Sequence, residues 1–170
     1  MPNSSIVRDR RDEGFTLVEI LTVVIVIGAL LLIGVPAFLG ARSRANDRSA
    51  QTSLRQAFSN AKTIYADTES YTGVTIAALA KAETSLTFIS GDSWGPGAVS
   101  VDSRGSGGLV LAALSQSGVC FAIGDAGSVG TVFQNLGPVT HCTASAVDAL
   151  PSAVPAAAAS VPGGGWARAW

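Results

Sequence analysis

Residues 14–41 read GFTLVEILTVVIVIGALLLIGVPAFLGA, and this stretch decides the architecture. Between Phe15 and Ala41 the only ionisable side chain is Glu19, so Ile20–Ala41 carries no charge at all. As a helix rising about 1.5 Å per residue, the run is longer than the roughly 30 Å hydrocarbon core of a bilayer. It predicts a membrane-spanning helix, closed on its far side by Arg42 and Arg44. Within it, proline costs a helix interior about 3 kcal/mol and glycine about 1 kcal/mol relative to alanine. Gly28, Gly34 and Pro36 therefore mark the expected weak point of the rod, and Gly28 to Pro36 is where it should kink or loosen.

Residues 1–14, MPNSSIVRDRRDEG, are polar, with Arg8, Arg10 and Arg11 offset by Asp9, Asp12 and Glu13. They have no apolar periodicity and read as a leader that is removed on maturation. A secretory signal would instead place roughly 7 to 15 apolar residues before a small-residue cleavage site. Here the apolar run follows the glycine and is longer than that limit.

Beyond Ala41 the pattern becomes amphipathic. Ala50, Leu54, Ala57, Phe58, Ala61, Ile64 and Tyr65 follow i, i+3, i+4 spacing and share one face. The segment 42–67 is thus an amphipathic continuation of the apolar segment 15–41, and its apolar face needs a cover. That cover is expected in 68–150, after a short helix at Ile76–Glu83. Six short runs there are rich in Val, Thr, Phe and Ile: Leu86–Ser90, Ala98–Asp102, Leu109–Ser115, Val119–Ile123, Thr131–Asn135 and Val139–Cys142. Gly91, Gly95-Pro96-Gly97, Gly105–Gly108, Gly118, Gly124–Gly127 and Gly137-Pro138 read as turns joining antiparallel strands. The predicted fold class is α+β, a long N-terminal helix packed on a C-terminal antiparallel sheet. The tail 151–170, PSAVPAAAASVPGGGWARAW, is too rich in Ala, Pro and Gly to fold alone and is expected to be flexible or loosely docked. Trp166 and Trp170 are unusual in such a tail, fitting either a sticky surface or a capped exposed end.

Bulk properties narrow the function. The chain has 170 residues, 48% of them hydrophobic, and a net charge of −1, so no basic surplus attracts nucleic acid or anionic lipid. No basic groove or base-stacking aromatic cluster favours DNA. Cys120 and Cys142 lie in the part that would be exported, where oxidising conditions favour one disulfide, stabilising by roughly 3 kcal/mol. Two unpaired buried thiols are the alternative. His141 is the only histidine, which points to a structural or surface role. Asp92, Asp102 and Asp125 lie near turns without the interleaved acidic loop of a Ca²⁺ site and read as solvated turn residues. Gly105–Gly108 and Gly124–Gly127 lack the Lys-Ser/Thr ending of a phosphate cradle. No metal, cofactor or catalytic constellation is expected, and the chain reads as a non-enzyme.

The chemistry sits at Glu13-Gly14-Phe15-Thr16-Leu17-Val18-Glu19-Ile20. Gly14 has no side chain and fits a narrow protease subsite, with the bond to Phe15 at the membrane edge. Cutting there creates a cationic amine at the head of a helix. Glu19, five residues in, would cost on the order of 2.5–3.5 kcal/mol in hydrocarbon if left unpaired. Helix geometry separates the two groups within one chain, but staggered copies can bring the amine of one to Glu19 of another. The same string admits a plain signal anchor in which Glu19 is a tolerated polar residue near the interface.

GFTLVEI followed by about twenty apolar residues resembles the prepilin signature of type IV pilins and pseudopilins. The likeness runs through Pro36 and the amphipathic continuation to about Tyr65. The resemblance implies cleavage between Gly14 and Phe15 by a prepilin peptidase, N-methylation of Phe15 and a register role in assembly for Glu19. It also implies a lollipop fold, loosening of the helix around the proline in a filament, and a Cys120–Cys142 disulfide closing the C-terminal region. The partners it implies are further copies of the chain, the peptidase and methyltransferase, an assembly platform with its ATPase, and the cytoplasmic membrane before assembly. Orientation with the N-terminus in the cytoplasm comes from the resemblance too, since Arg42, Arg44, Arg48 and Arg55 outnumber the arginines before the span. The resemblance implies a structural subunit of an extracellular pilus, with a pseudopilin of a type II secretion or DNA-uptake system, which shares this N-terminus, as the alternative. Twitching, adhesion, DNA uptake and electron transfer turn on head-surface details that the sequence leaves open.

Overall fold

The computed structural model describes residues 14–125, 127–153, 155 and 159–170. The expected leader, apart from Gly14, lies outside the described residues. Helix α1 spans Leu17–Thr68 without interruption, with Pro36 inside it. The chain divides into two compact units, one reaching to Gly40 and the other running from Ala41 to Trp170.

In the first unit α1 is bare. Every large apolar side chain from Phe15 to Leu39 is between 49% and 80% exposed. The helix continues through Gly28, Gly34 and Pro36, although proline has no N–H for the Leu32 carbonyl. An added Cβ at Gly28 or Gly34 meets nothing within 4 Å, so neither glycine is required by packing in the single chain.

In the second unit the remainder of α1 lies on a five-stranded sheet. After α2 (Ile76–Ala82), capped by Thr75 Oγ1 accepting from the Ala78 N–H at 3.1 Å, come β1 (Thr87–Ile89), β2 (Ala98–Ser103), β3 (Leu109–Leu114), β4 (Val119–Asp125) and β5 (Thr131–Pro138). The strands stand in chain order, and β2 to β5 pair antiparallel. The face predicted from spacing is the one buried: Ala50, Leu54, Ala57, Phe58 and Ala61 meet Leu109, Leu111, Ala113, Phe121 and Ile123, with Ile64 and Tyr65 packed at the margin. The other face carries Val110, Ala112, Cys120 and Ala122 and is covered by Cys142, Ala144 and Val147. Both faces are dry, which is why β3 reads LVLAAL without alternation. Cys120 and Cys142 form a disulfide with Cα atoms 5.6 Å apart, pinning the covering segment to β4. Gly108 is obligatory, because a Cβ there would lie 2.0 Å from the Asp125 carbonyl oxygen and φ is +115°.

Two expectations need correction. Val139–Cys142 is not a strand, since its backbone is engaged individually: the Cys142 carbonyl accepts from Ser93 N–H at 2.9 Å, and the neighbouring Ala144 N–H donates to Ser100 Oγ at 2.9 Å. Strand β1 pairs parallel with β2, not through an antiparallel turn. Buried Ser93 folds the intervening loop, its hydroxyl donating to the Ala98 carbonyl at 2.6 Å and accepting from Leu114 N–H at 2.8 Å. The end of the tail, expected to be flexible or loosely docked, is seated on the sheet. Phe133 and Ala167 exchange two backbone hydrogen bonds of 2.9 and 2.8 Å, and the Trp170 ring lies 4.7 Å from that of Phe133.

Candidate processing and assembly segment

Gly14, Phe15 and Thr16 precede the first turn of α1, and all three are exposed. Phe15 is 75% exposed, so the Gly14–Phe15 bond stands clear of other described parts of the chain. Thr16 is the N-cap: its Oγ1 accepts from the Glu19 N–H at 3.2 Å, and its carbonyl accepts from the Glu19 and Ile20 N–H groups at 3.1 and 3.3 Å. Thr16 and Glu19 thus occupy the first and last positions of a capping box, T-x-x-E. The sequence reading missed this role for Thr16, although the spacing was there to see.

A carboxylate in the first turn is favoured by the positive end of the helix dipole. Glu19 therefore sits where the helix itself tolerates a negative charge, one turn into an otherwise apolar rod. The ion pairs among the described residues are Lys62–Asp125, Arg104–Asp102 and His141–Asp92, and Glu19 belongs to none of them. Thr22 Oγ1 donates to the Glu19 carbonyl at 2.8 Å, keeping its own polar group inside the helix. The segment combines an accessible peptide bond, a capped helix start, an acid in no ion pair among the described residues and an uncovered apolar surface.

The head places its own polar groups differently from expectation. Asp125 is not a solvated turn residue. It is buried, accepts from Tyr71 OH at 2.7 Å and from the Gly127 N–H at 3.0 Å, and is ion-paired to Lys62 of α1. Burial first, and then the Asp125 carboxylate, push the Tyr71 phenol well above its ordinary pKa. Asp92 is exposed and takes Thr143 Oγ1 and His141 Nδ1, and these two partners hold its carboxyl below the usual range. Asp102 is paired with Arg104 at 2.8 Å. Each of the three aspartates has its own protein partner.

Comparison with known proteins addresses the N-terminal part of the chain. Residues 9–35 match the family model described as the prokaryotic N-terminal methylation motif. The type IV major pilin protein PilA of Myxococcus xanthus (strain DK1622) is 33% identical over 61 residues. That match covers 36% of this chain and only 28% of the relative's length. No solved structure matches the chain.

Proposed function

We propose that the chain is a type IV pilin whose mature form is a structural subunit that polymerises through α1 into an extracellular filament, a reading supported by its N-terminal methylation motif and its likeness to a type IV major pilin. The observation that carries this reading is the uncovered apolar helix that starts next to Gly14-Phe15 and holds Glu19 in its first turn. A helix with that much exposed apolar surface needs lipid or like helices around it, and a filament core exchanges one for the other.

In the proposed sequence, a prepilin peptidase cuts after Gly14 and the new Phe15 amine is methylated. The precursor waits in the cytoplasmic membrane. As a subunit joins, its Phe15 amine meets Glu19 of a neighbour, so that neither charge is left alone in the apolar core. Gly28, Gly34 and Pro36 would allow α1 to loosen there as helices pack side by side. An assembly platform driven by a separate ATPase would supply the lifting. Nothing in the head is needed for chemistry, and the chain is read as a non-enzyme.

The substitution Glu19→Val tests this directly. It leaves a neighbour's amine unpaired at a depth where a lone charge costs about 3 kcal/mol, a factor of about 100 in each subunit's addition. Leader removal should persist, as seen by a mass shift on the membrane pool, while sheared surface filaments fall to background. Abundant filaments from the variant would rule out the pairing. Electron microscopy of cells at native expression separates a pilus subunit, with visible surface filaments, from a pseudopilin, with none.

A further inference from the structure

The second unit begins at Ala41, the last residue of the uncharged run, so the head starts where the apolar segment ends. Arg42, Arg44 and Arg48 follow within two turns, and all three are exposed. Among the described residues none of them is in an ion pair. Arg44 and Arg48, one turn apart on the same side of α1, line a groove of about 230 Å³ with Asp47, Gln51, Asn135 and Trp170. The Asp47 carboxylate accepts from the Ser115 and Ser117 hydroxyls, which hold it to the β3–β4 turn. The groove therefore offers two guanidinium groups and two side-chain amides, a donor set suited to a phosphate.

The same end of the head holds out a bare tryptophan. Trp94 lies in the β1–β2 loop and is 68% exposed, yet the loop around it is fixed. The N–H of buried Ser93 donates to the Cys142 carbonyl at 2.9 Å, and its hydroxyl accepts from the Leu114 N–H at 2.8 Å. Asp92, on the other side of Ser93, is engaged by His141 and Thr143. Leu114 adjoins Ser115, whose hydroxyl bonds Asp47, so Trp94 and the arginines share the end at which α1 enters the head. A large ring kept in solvent by a fixed loop serves no packing purpose in the single chain.

A layer of phospholipid headgroups meets both features. Indole rings settle at the membrane–water interface, and arginines reach lipid phosphates while their stems lie along apolar surface. The net charge of −1 supplies no bulk attraction, so the attraction is confined to this end. We propose that, while α1 holds the precursor in the membrane, this end of the head docks on phospholipid headgroups, with Trp94 in the interface and Arg44 and Arg48 on lipid phosphates. The proposal rests on the membrane-anchored precursor described under the proposed function. Lifting a subunit into a filament then has to break these contacts as well as free the apolar helix.

The test uses the full chain in vesicles of phosphatidylethanolamine and phosphatidylglycerol, some of whose acyl chains are brominated to quench nearby tryptophans. Brominated lipid should quench the native chain, and Trp94→Phe, which keeps an aromatic ring, should lose at least about half of that quenching. Arg44→Gln combined with Arg48→Gln should lose about as much, with α1 still resistant to alkaline extraction. Equal quenching in the native chain and Trp94→Phe, with α1 still resistant, overturns the docking and leaves the membrane anchor standing. Chains washed from the vesicles by alkali overturn both. Quenching unchanged by the paired arginine substitutions overturns the phosphate contacts. Quenching that vanishes when vesicles carry single chains overturns the proposal as well, because a neighbouring head would then be what presses Trp94 toward the lipid.

Discussion

Glu19 and Asp125 show how the same side-chain chemistry takes opposite roles at the scale of a single residue. Asp125 is fully engaged, with Lys62, Tyr71 and a backbone N–H around it, whereas Glu19, among the described residues, has a helix dipole and a threonine cap beside it. The first was illegible in the sequence because its partners lie 63 and 54 residues away in the chain. The second stood out in the sequence as the one carboxylate in an apolar run, although its Thr16 cap was missed. The Asp125 cluster also has a pH signature. Tyr71 is raised above its unfolded value near 10, so the stability it contributes is present below about pH 10 and is lost as pH climbs toward the folded value. Tyr71→Phe should cost about 1–3 kcal/mol at neutral pH by removing a donor from a buried carboxylate. Thermal unfolding from pH 8 to 11 should show a steeper alkaline decline in the native chain than in Tyr71→Phe; parallel curves would refute the coupling.

At the scale of elements, helix α1 is two helices in composition and one in backbone. Its second half was readable residue by residue, since periodicity named the face that packs on the sheet. Its first half was readable as apolar and weak at Gly28–Pro36, yet the helix runs on through Pro36 in the single chain. Gly34→Ala should lower the local opening tendency by about 1 kcal/mol without steric cost, given the open space around a Cβ. Amide exchange across residues 28–38 in micelles should slow about fivefold in the variant. Equal rates would mean that Gly34 is not part of a weak point. The strand errors have a common cause. Glycine positions locate turns, but the parallel pairing of β1 and the irregular path of 139–142 depend on Ser93 and Ser100, whose hydroxyls act across the sheet.

For the whole molecule, the sequence divides its information unevenly. The first third carries the likeness to type IV pilins and the proposed assembly chemistry, and it is the part that the M. xanthus pilin and the methylation-motif model bear on. The head was legible as a class, α+β with a helix on a sheet, while the docking of 159–170 was not, because it rests on backbone groups of an edge strand that no local pattern announces. The proposed function follows the same division, with processing, methylation and polymerisation assigned to the first third. The central claim, that a chain freed of its leader assembles through its new N-terminus, is tested most directly by mass spectrometry of protein sheared from the cell surface. The account predicts a chain that begins at Phe15 and carries one N-methyl group. A surface protein still bearing residues 1–14, or one that begins at another residue, would contradict it.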